Sequence, residues 1–271
     1  MTLKNIILSV CGLLLATNLA GPDFMRAERG PMTSPGYEAT LRSIDARFRE
    51  LGPGAAFLTA ANRDYAAAIR YVRGAEWRAL ARPSWSANYV IYLLARAETA
   101  AGSLLAEGVL TGRFRHYEFR HYEQALKRGF GICSQNALGL SDLLSVRYGV
   151  DTQLVMLDGH VVLQARTPEG RFILLDPSLG LSFDFDAATA PSRLNEIVRA
   201  YRAIDPHLST IAQAYDASGN RTITGDHGAR DSWPSMYLAE TLLEWMKWGL
   251  PAILALAVLL RPRRRTATMR G

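Results

Sequence analysis

The 271-residue chain has little cysteine, no internal repeat and no low-complexity tract, and each shortage excludes a class of protein. Two cysteines cannot staple a chain of this length, so it is not a disulfide scaffold. Without a repeat of roughly 20 to 50 residues it is not a solenoid or propeller. Intrinsic disorder is excluded because 49% of the residues are apolar, ample for a core. No glycine-rich loop carries the Lys-Ser/Thr pair of a phosphate cradle, and no G-x-S-x-G elbow occurs. The folded part also lacks a basic excess. The formal charge is +6, yet between Gly21 and Glu244 there are 24 Lys and Arg against 25 Asp and Glu. The surplus lies near the two ends, in Lys4, Lys247, Arg261, Arg263, Arg264, Arg265 and Arg270. A nucleic-acid binder carries its excess on the folded domain, so no nucleic-acid partner is expected.

What the chain does have is an apolar segment at each end. Residues 1–21 place Lys4 before an apolar run from Ile6 to Ala16, which reads as a signal peptide or an N-terminal membrane anchor. Cleavage after Ala20 and retention both stay open, and Cys11 sits mid-run as an apolar filler. At the other end, residues 248–260 carry no charge, but 13 helical residues cover only about 20 Å of a roughly 30 Å hydrocarbon core. Extension back to Leu242 reaches 19 residues and admits Glu244 and Lys247 near one interface. Trp245 and Trp248 then fall in an aromatic belt, Lys247 can snorkel, and Pro251 is tolerated as a kink. The arginine cluster after the run marks the cytoplasmic side. A transmembrane helix is therefore expected over 238–260, with a basic cytoplasmic tail over 261–271. The middle of the chain would lie on the periplasmic face of a bacterial inner membrane.

That middle divides by composition. Residues 22–36 are rich in Gly, Pro and Ser and read as a linker. Residues 37–124 read as helical: Leu41, Ile44, Phe48 and Leu51 recur at helical spacing before Gly52-Pro53-Gly54 stops them, and 89–105 forms another amphipathic helix. Residues 125–190 change character. A turn at 129–136 feeds a helix with Ala137, Leu140, Leu143 and Leu144 on one face, ended at Arg147-Tyr148-Gly149. Strands are expected over 152–157, 160–165 and 171–175, joined by Asp158-Gly159 and Thr167 to Gly170. Asp184-Phe185-Asp186 reads as a solvated strand edge. Residues 191–235 read as helical with a break at Asp205-Pro206, then as a polar loop from Ser218 onward. A helix followed by an antiparallel meander is an α+β arrangement.

Three residues in this part carry chemistry. Cys133 is the only cysteine outside the N-terminal apolar segment and stands in the first turn of a predicted helix, where exposed N–H groups favour a thiolate nucleophile. The bland alternative is a buried thiol acting as a small hydrophobe. His160 opens a strand after an Asp-Gly turn, and Asp176 closes the next one. Adjacent antiparallel strands bring such positions together, so the carboxylate can orient the imidazole and leave its other nitrogen for the thiol proton. All three are expected where an active cleft meets water. His116 and His121, five apart and about 140° around a helix, do not face one metal.

The run Gly131-x-Cys133 with Ala137 and paired leucines, then Tyr148-Gly149-Val150, Gly159-His160-Val161 and Leu175-Asp176-Pro177, resembles the transglutaminase-like superfamily. The spacings, 27 positions from Cys133 to His160 and 16 from His160 to Asp176, look like those of its compact bacterial members. The resemblance covers about residues 125–182 and implies a papain-like core whose Cys, His and Asp come in this chain order. It implies acyl transfer at an amide bond, with Cys133 as nucleophile, His160 as proton shuttle and Asp176 as its orienter. The backbone N–H of Cys133 would be one oxyanion donor, with Gln124 the candidate for a second. No cofactor is needed, and no calcium loop is evident. Family members often carry an aromatic or acidic residue after the histidine motif; Val161-Val162-Leu163-Gln164 departs from that, which bears on substrate preference. Water as acceptor makes a peptidase or amidase and an amine makes a transferase; few lysines and no recognition domain favour hydrolysis. The alternative is a catalytically silent accessory protein of the same fold in a cell-envelope or polysaccharide-assembly complex.

Overall fold

In the computed structural model of the chain, the residues described are 2–27, 36–74, 76–77, 88–102, 118–216, 219–223 and 234–261. The described part of the N-terminal half is mostly helical, as its alanine- and leucine-rich composition favours: α1 (Leu3–Ala27), α2 (Tyr37–Leu51), α3 (Ala55–Ala68), α4 (Tyr89–Gly102) and α5 (Tyr122–Arg128). Helix α1 runs past Gly21 and Pro22 to Ala27, so the segment expected to be a linker from residue 22 is helical for its first six residues. Phe24-Met25-Arg26-Ala27 have ordinary helix propensities, which a single proline lowers locally. His121 precedes α5 in extended backbone instead of lying on a helix with His116, which is outside the described residues.

The centre of the fold is α6 (Cys133–Tyr148). It ends where Gly149 takes a left-handed conformation (φ 66°), and its N–H closes onto the carbonyls of Leu144 and Ser145. Arg147 grips Asp45 of α2 with two hydrogen bonds (2.8 and 2.6 Å), and the Tyr148 hydroxyl adds a third (2.8 Å). Five antiparallel strands follow the order β6-β5-β4-β3-β7: β3 (Thr152–Leu157), β4 (His160–Arg166), β5 (Phe172–Asp176), β6 (Leu181–Phe183) and β7 (Arg221–Ile223). Strand β7 comes from the segment expected to be a polar loop. Asp184-Phe185-Asp186 follows β6 instead of forming a solvated edge, because Phe185 is buried and its carbonyl accepts from Leu174 N–H.

Alternation along the strands gives the sheet two apolar faces. Leu154, Val161, Leu163, Ala165, Ile173 and Leu175 pack with α2, α3 and α6. Val155, Leu157, Val162 and Leu174 pack on the other side against Ile197 and Tyr201 of α7 (Leu194–Ile204), Ala212 of α8 (Ser209–Gln213) and Tyr215. Burial on both faces explains why the strands read as nearly continuous apolar runs. The molecule is thus a mixed α+β protein with an antiparallel sheet between helical layers. A further pair, β1 (Arg70–Tyr71) and β2 (Phe130–Gly131), is parallel and lies just ahead of α6. The last element, α9 (Pro234–Leu260), packs against α1 and α4.

Candidate active site

Cys133 is the first residue of α6 and half-buried. The residue before it, Ile132, provides no side-chain cap. The first-turn N–H groups, which have no intrahelical partner, are therefore not satisfied by a capping side chain. Gly131 makes this entry possible: a Cβ there would stand 2.3 Å from Asn136 Oδ1 and 3.0 Å from Gln135 Nε2. The spacing G-x-C thus has a local cause, since the backbone two residues before the thiol lies against the first turn of its own helix. A polar network holds the same corner. Gln135 donates to the carbonyl of Phe130 (3.0 Å) and accepts from Arg128 (2.9 Å), whose guanidinium lies over the rings of Trp77, Phe119 and Phe130. Ser134 donates to Glu118 (2.8 Å), whose carboxyl is pushed above the usual range by burial, against the pull of that hydrogen bond.

His160 and Asp176 meet across β4 and β5. Leu163 pairs with Leu175, so His160 and Asp176 are diagonal neighbours on one face of the sheet, within reach of a side-chain bond. The bond is His160 Nε2 to Asp176 Oδ2, 2.9 Å. His160 is 3% exposed and Asp176 0%, so both lie deep and not at the water line the sequence suggested; apolar strands on one side and α7 on the other close over them. Nε2 is committed to the carboxylate, which leaves Nδ1 for the thiol. Nδ1 is buried and, among the described residues, makes no hydrogen bond of ordinary length; Cys133 is its neighbour, and resting catalytic contacts are often long. Burial lowers the His160 pKa, but the charge and hydrogen bond of Asp176, with the neighbouring Cys133 thiol, outweigh it and raise it to about 10.

Residues the sequence reading did not single out complete the site. Asp176 Oδ1 accepts from the N–H of Ser178 (2.9 Å), an Asx turn closing the Asp-Pro-Ser segment. Asp176 Oδ2 also accepts from the Tyr201 hydroxyl (2.5 Å), which in turn contacts the Tyr215 hydroxyl at 2.8 Å. A hydroxyl has one proton to give; Tyr201 gives its own to Asp176, so Tyr215 must donate to Tyr201. Desolvation, reinforced by the charge of Asp176, keeps both phenols far above their usual range and hence neutral donors. Their spacing in a helix and a turn beyond the strands carries no local signal of this role. Tyr71, on β1, stands edge-on to the His160 ring with centroids 6.3 Å apart. Gln124 lies half-buried on α5, and no hydrogen bond joins its side chain to Cys133, His160 or Asp176. An open groove of about 510 Å³ lined by Glu50, Thr59, Arg63, Ser182 and Asp184 includes none of the three. Among the described residues, no group of three or more His, Cys, Asp or Glu is placed to hold a metal.

One described helix, over Tyr237–Leu260, is long and apolar enough to cross a membrane, with mean hydropathy 1.5 over its best window. Its charged start is tied to the domain. Glu240 accepts from the N–H groups of Arg120 and His121, and Glu244 from Asn88, while Lys247 pairs with Glu244 at 2.6 Å. The Lys247 ammonium therefore has a carboxylate at hand on its own helix. No protein-family model, curated protein or solved structure matches the chain.

Proposed function

We propose that the chain is a membrane-anchored extracytoplasmic cysteine enzyme of the transglutaminase-like class, with a papain-like core, acting at an amide bond. The observation that carries this reading is the buried His160–Asp176 bond, which leaves Nδ1 for a half-buried cysteine at an uncapped helix start. The raised pKa of His160 means that the proton shared with Cys133 rests on Nδ1 at neutral pH, and in the first half-reaction Cys133 Sγ attacks the carbonyl carbon. The oxygen gains negative charge and accepts from the Cys133 N–H. The C–N bond then breaks, the amine leaves with the proton held by His160, and a thioester remains on Cys133. Water, activated by the same imidazole, returns the acid and the free thiol; an amine in its place gives a new amide.

The test is intact-mass and peptide analysis of the purified protein and its Cys133→Ala form after incubation with a pool of envelope peptides. The expected result is acyl adducts and cleaved or transferred peptides with the wild type alone. Identical outputs from the two proteins would favour the silent accessory protein. The side on which the domain lies belongs to the same reading, supported by the basic residues that flank both apolar helices at their outer ends.

A further inference from the structure

An attacked carbonyl oxygen needs more than one donor, and α6 provides the first in the backbone N–H of Cys133. The two-residue strand β1 brings a second candidate to the same corner. It runs parallel to β2 with Tyr71 opposite Gly131, and Gly131 lies two residues before Cys133. Backbone bonds on either side set this register: Arg70 N–H to Gly129 carbonyl and Val72 N–H to Gly131 carbonyl, both 3.0 Å. Tyr71 is therefore positioned by the same β2 segment that leads into the nucleophile. Its ring meets the His160 imidazole edge-on at an interplanar angle of 68°. It is half-buried, and its hydroxyl makes no hydrogen bond among the described residues. The other described phenols at the site, Tyr201 and Tyr215, are committed to Asp176.

We propose that Tyr71 is a catalytic residue, its hydroxyl donating to the substrate carbonyl oxygen as that oxygen takes negative charge. The proposal rests on the reading of Cys133 as nucleophile. As the Sγ–C bond forms, the carbonyl π pair moves onto oxygen, which accepts from Cys133 N–H and Tyr71 O–H. When the tetrahedral intermediate collapses the C=O bond reforms and the leaving group departs. Tyr71 keeps its proton throughout. Desolvation, with the charges of Cys133 and Asp176 adding to it, raises its pKa to about 12, which suits a donor that must not ionise at neutral pH. An amide would fill this role less well at this position, because a neutral phenol is the stronger hydrogen-bond acid.

Two reagents separate this role from the nucleophile itself. Iodoacetamide alkylates a thiolate at a saturated carbon and never places charge on its carbonyl oxygen. p-Nitrophenyl acetate acylates through a tetrahedral oxyanion. With the full chain in detergent micelles at pH 7, the Tyr71→Phe form should alkylate within about twofold of wild type. Its acylation should slow by about 10²-fold or more, the usual cost of one oxyanion donor. Acylation at the wild-type rate, or an equal fall in both reactions, would overturn the proposal. A wild type that reacts no faster with either reagent than its Cys133→Ala form would overturn the nucleophile reading instead, a failure distinguishable from the other two. Phenylalanine keeps the ring against His160, and coincident thermal unfolding curves would show that the fold is retained.

Discussion

His160 is held between opposing influences, and their balance sets two measurable quantities. Burial disfavours its charged form, while Asp176 and the Cys133 thiol favour it and prevail, so the folded pKa of about 10 exceeds the unfolded value of roughly 6.5. A raised pKa means that the folded state binds the proton more tightly. The resulting stabilisation is fully present below about pH 6.5 and is lost as pH climbs through about 10. The gap in thermal stability between wild type and His160→Gln should accordingly be widest at about pH 6 and shrink toward about pH 10; a gap that widened with pH would reverse the assignment. The tyrosine chain on Asp176 is a separate matter. Asp176→Asn removes the charge that stabilises an imidazolium and should cost on the order of 10²- to 10⁴-fold in acylation, by analogy with serine triads. Tyr201→Phe removes one donor of three from the same carboxylate and should cost roughly tenfold, a positioning effect of about 1.4 kcal/mol. Because Tyr201 touches no reacting atom, its loss should also shift the pH–rate profile, and a fall in rate with an unmoved profile would mark a merely structural role.

At the scale of elements, the entry to α6 is where packing and chemistry meet. Gly131 lies against Asn136, whose side-chain amide is fully buried and makes no hydrogen bond among the described residues. Gly131→Ala should therefore destabilise the protein by about 1–3 kcal/mol, the range for overpacking a filled core. Because the nearest obstacle is the Asn136 oxygen, with Gln135 Nε2 farther off at 3.0 Å, adding Asn136→Ala should recover much of that loss in a double-mutant cycle, read by chemical denaturation. Strict additivity would show that the glycine serves something other than this approach. Much of this region was legible in the sequence. Gly149 as the stop of α6, the two-residue turn at Asp158-Gly159 and the limits of β3 all follow from local chemistry. The pairing of His160 with Asp176 followed from strand adjacency, but their diagonal placement depends on register, which no single strand encodes. Burial of the pair was missed because it depends on α7 and the 214–216 turn covering the far face, a contact between segments distant in the chain. Strands β1, β2 and β7, two or three residues each, lack any periodic signal and exist only through their partners.

At the scale of the whole molecule, the two apolar helices are joined by a particular hydrogen bond. Pro251 has no N–H, so the carbonyl of Lys247, four residues earlier in α9, loses its helical partner. The Asn18 side chain of α1 donates to that carbonyl at 2.5 Å and is itself only 5% exposed, with Cys11 on the same helix 1% exposed. A polar residue that satisfies a proline-freed carbonyl is an interhelical device, and in a membrane such bonds contribute about 0.6–2 kcal/mol. On the proposed reading of α9 as a membrane anchor, this bond would give α1 a part in it, and retention of the N-terminal segment is then the expected outcome. Intact mass of the membrane-extracted protein should then correspond to the full 29.9 kDa chain, and loss of residues 1–20 would refute retention. The bond also predicts a coupling. Asn18→Leu should lower thermal stability in micelles with Pro251 present. It should matter far less in a Pro251→Ala background, where the restored backbone N–H can reclaim the Lys247 carbonyl. With Lys4 ahead of one helix and the arginine cluster after the other, both tails should lie in the cytoplasm and the α+β domain outside it. A reporter fused after Gly271 should therefore be active only as a cytoplasmic probe, and one inserted at Ser218 only as an exterior probe. The reverse pattern would place Cys133 on the cytoplasmic side, where no extracytoplasmic envelope peptide could reach it.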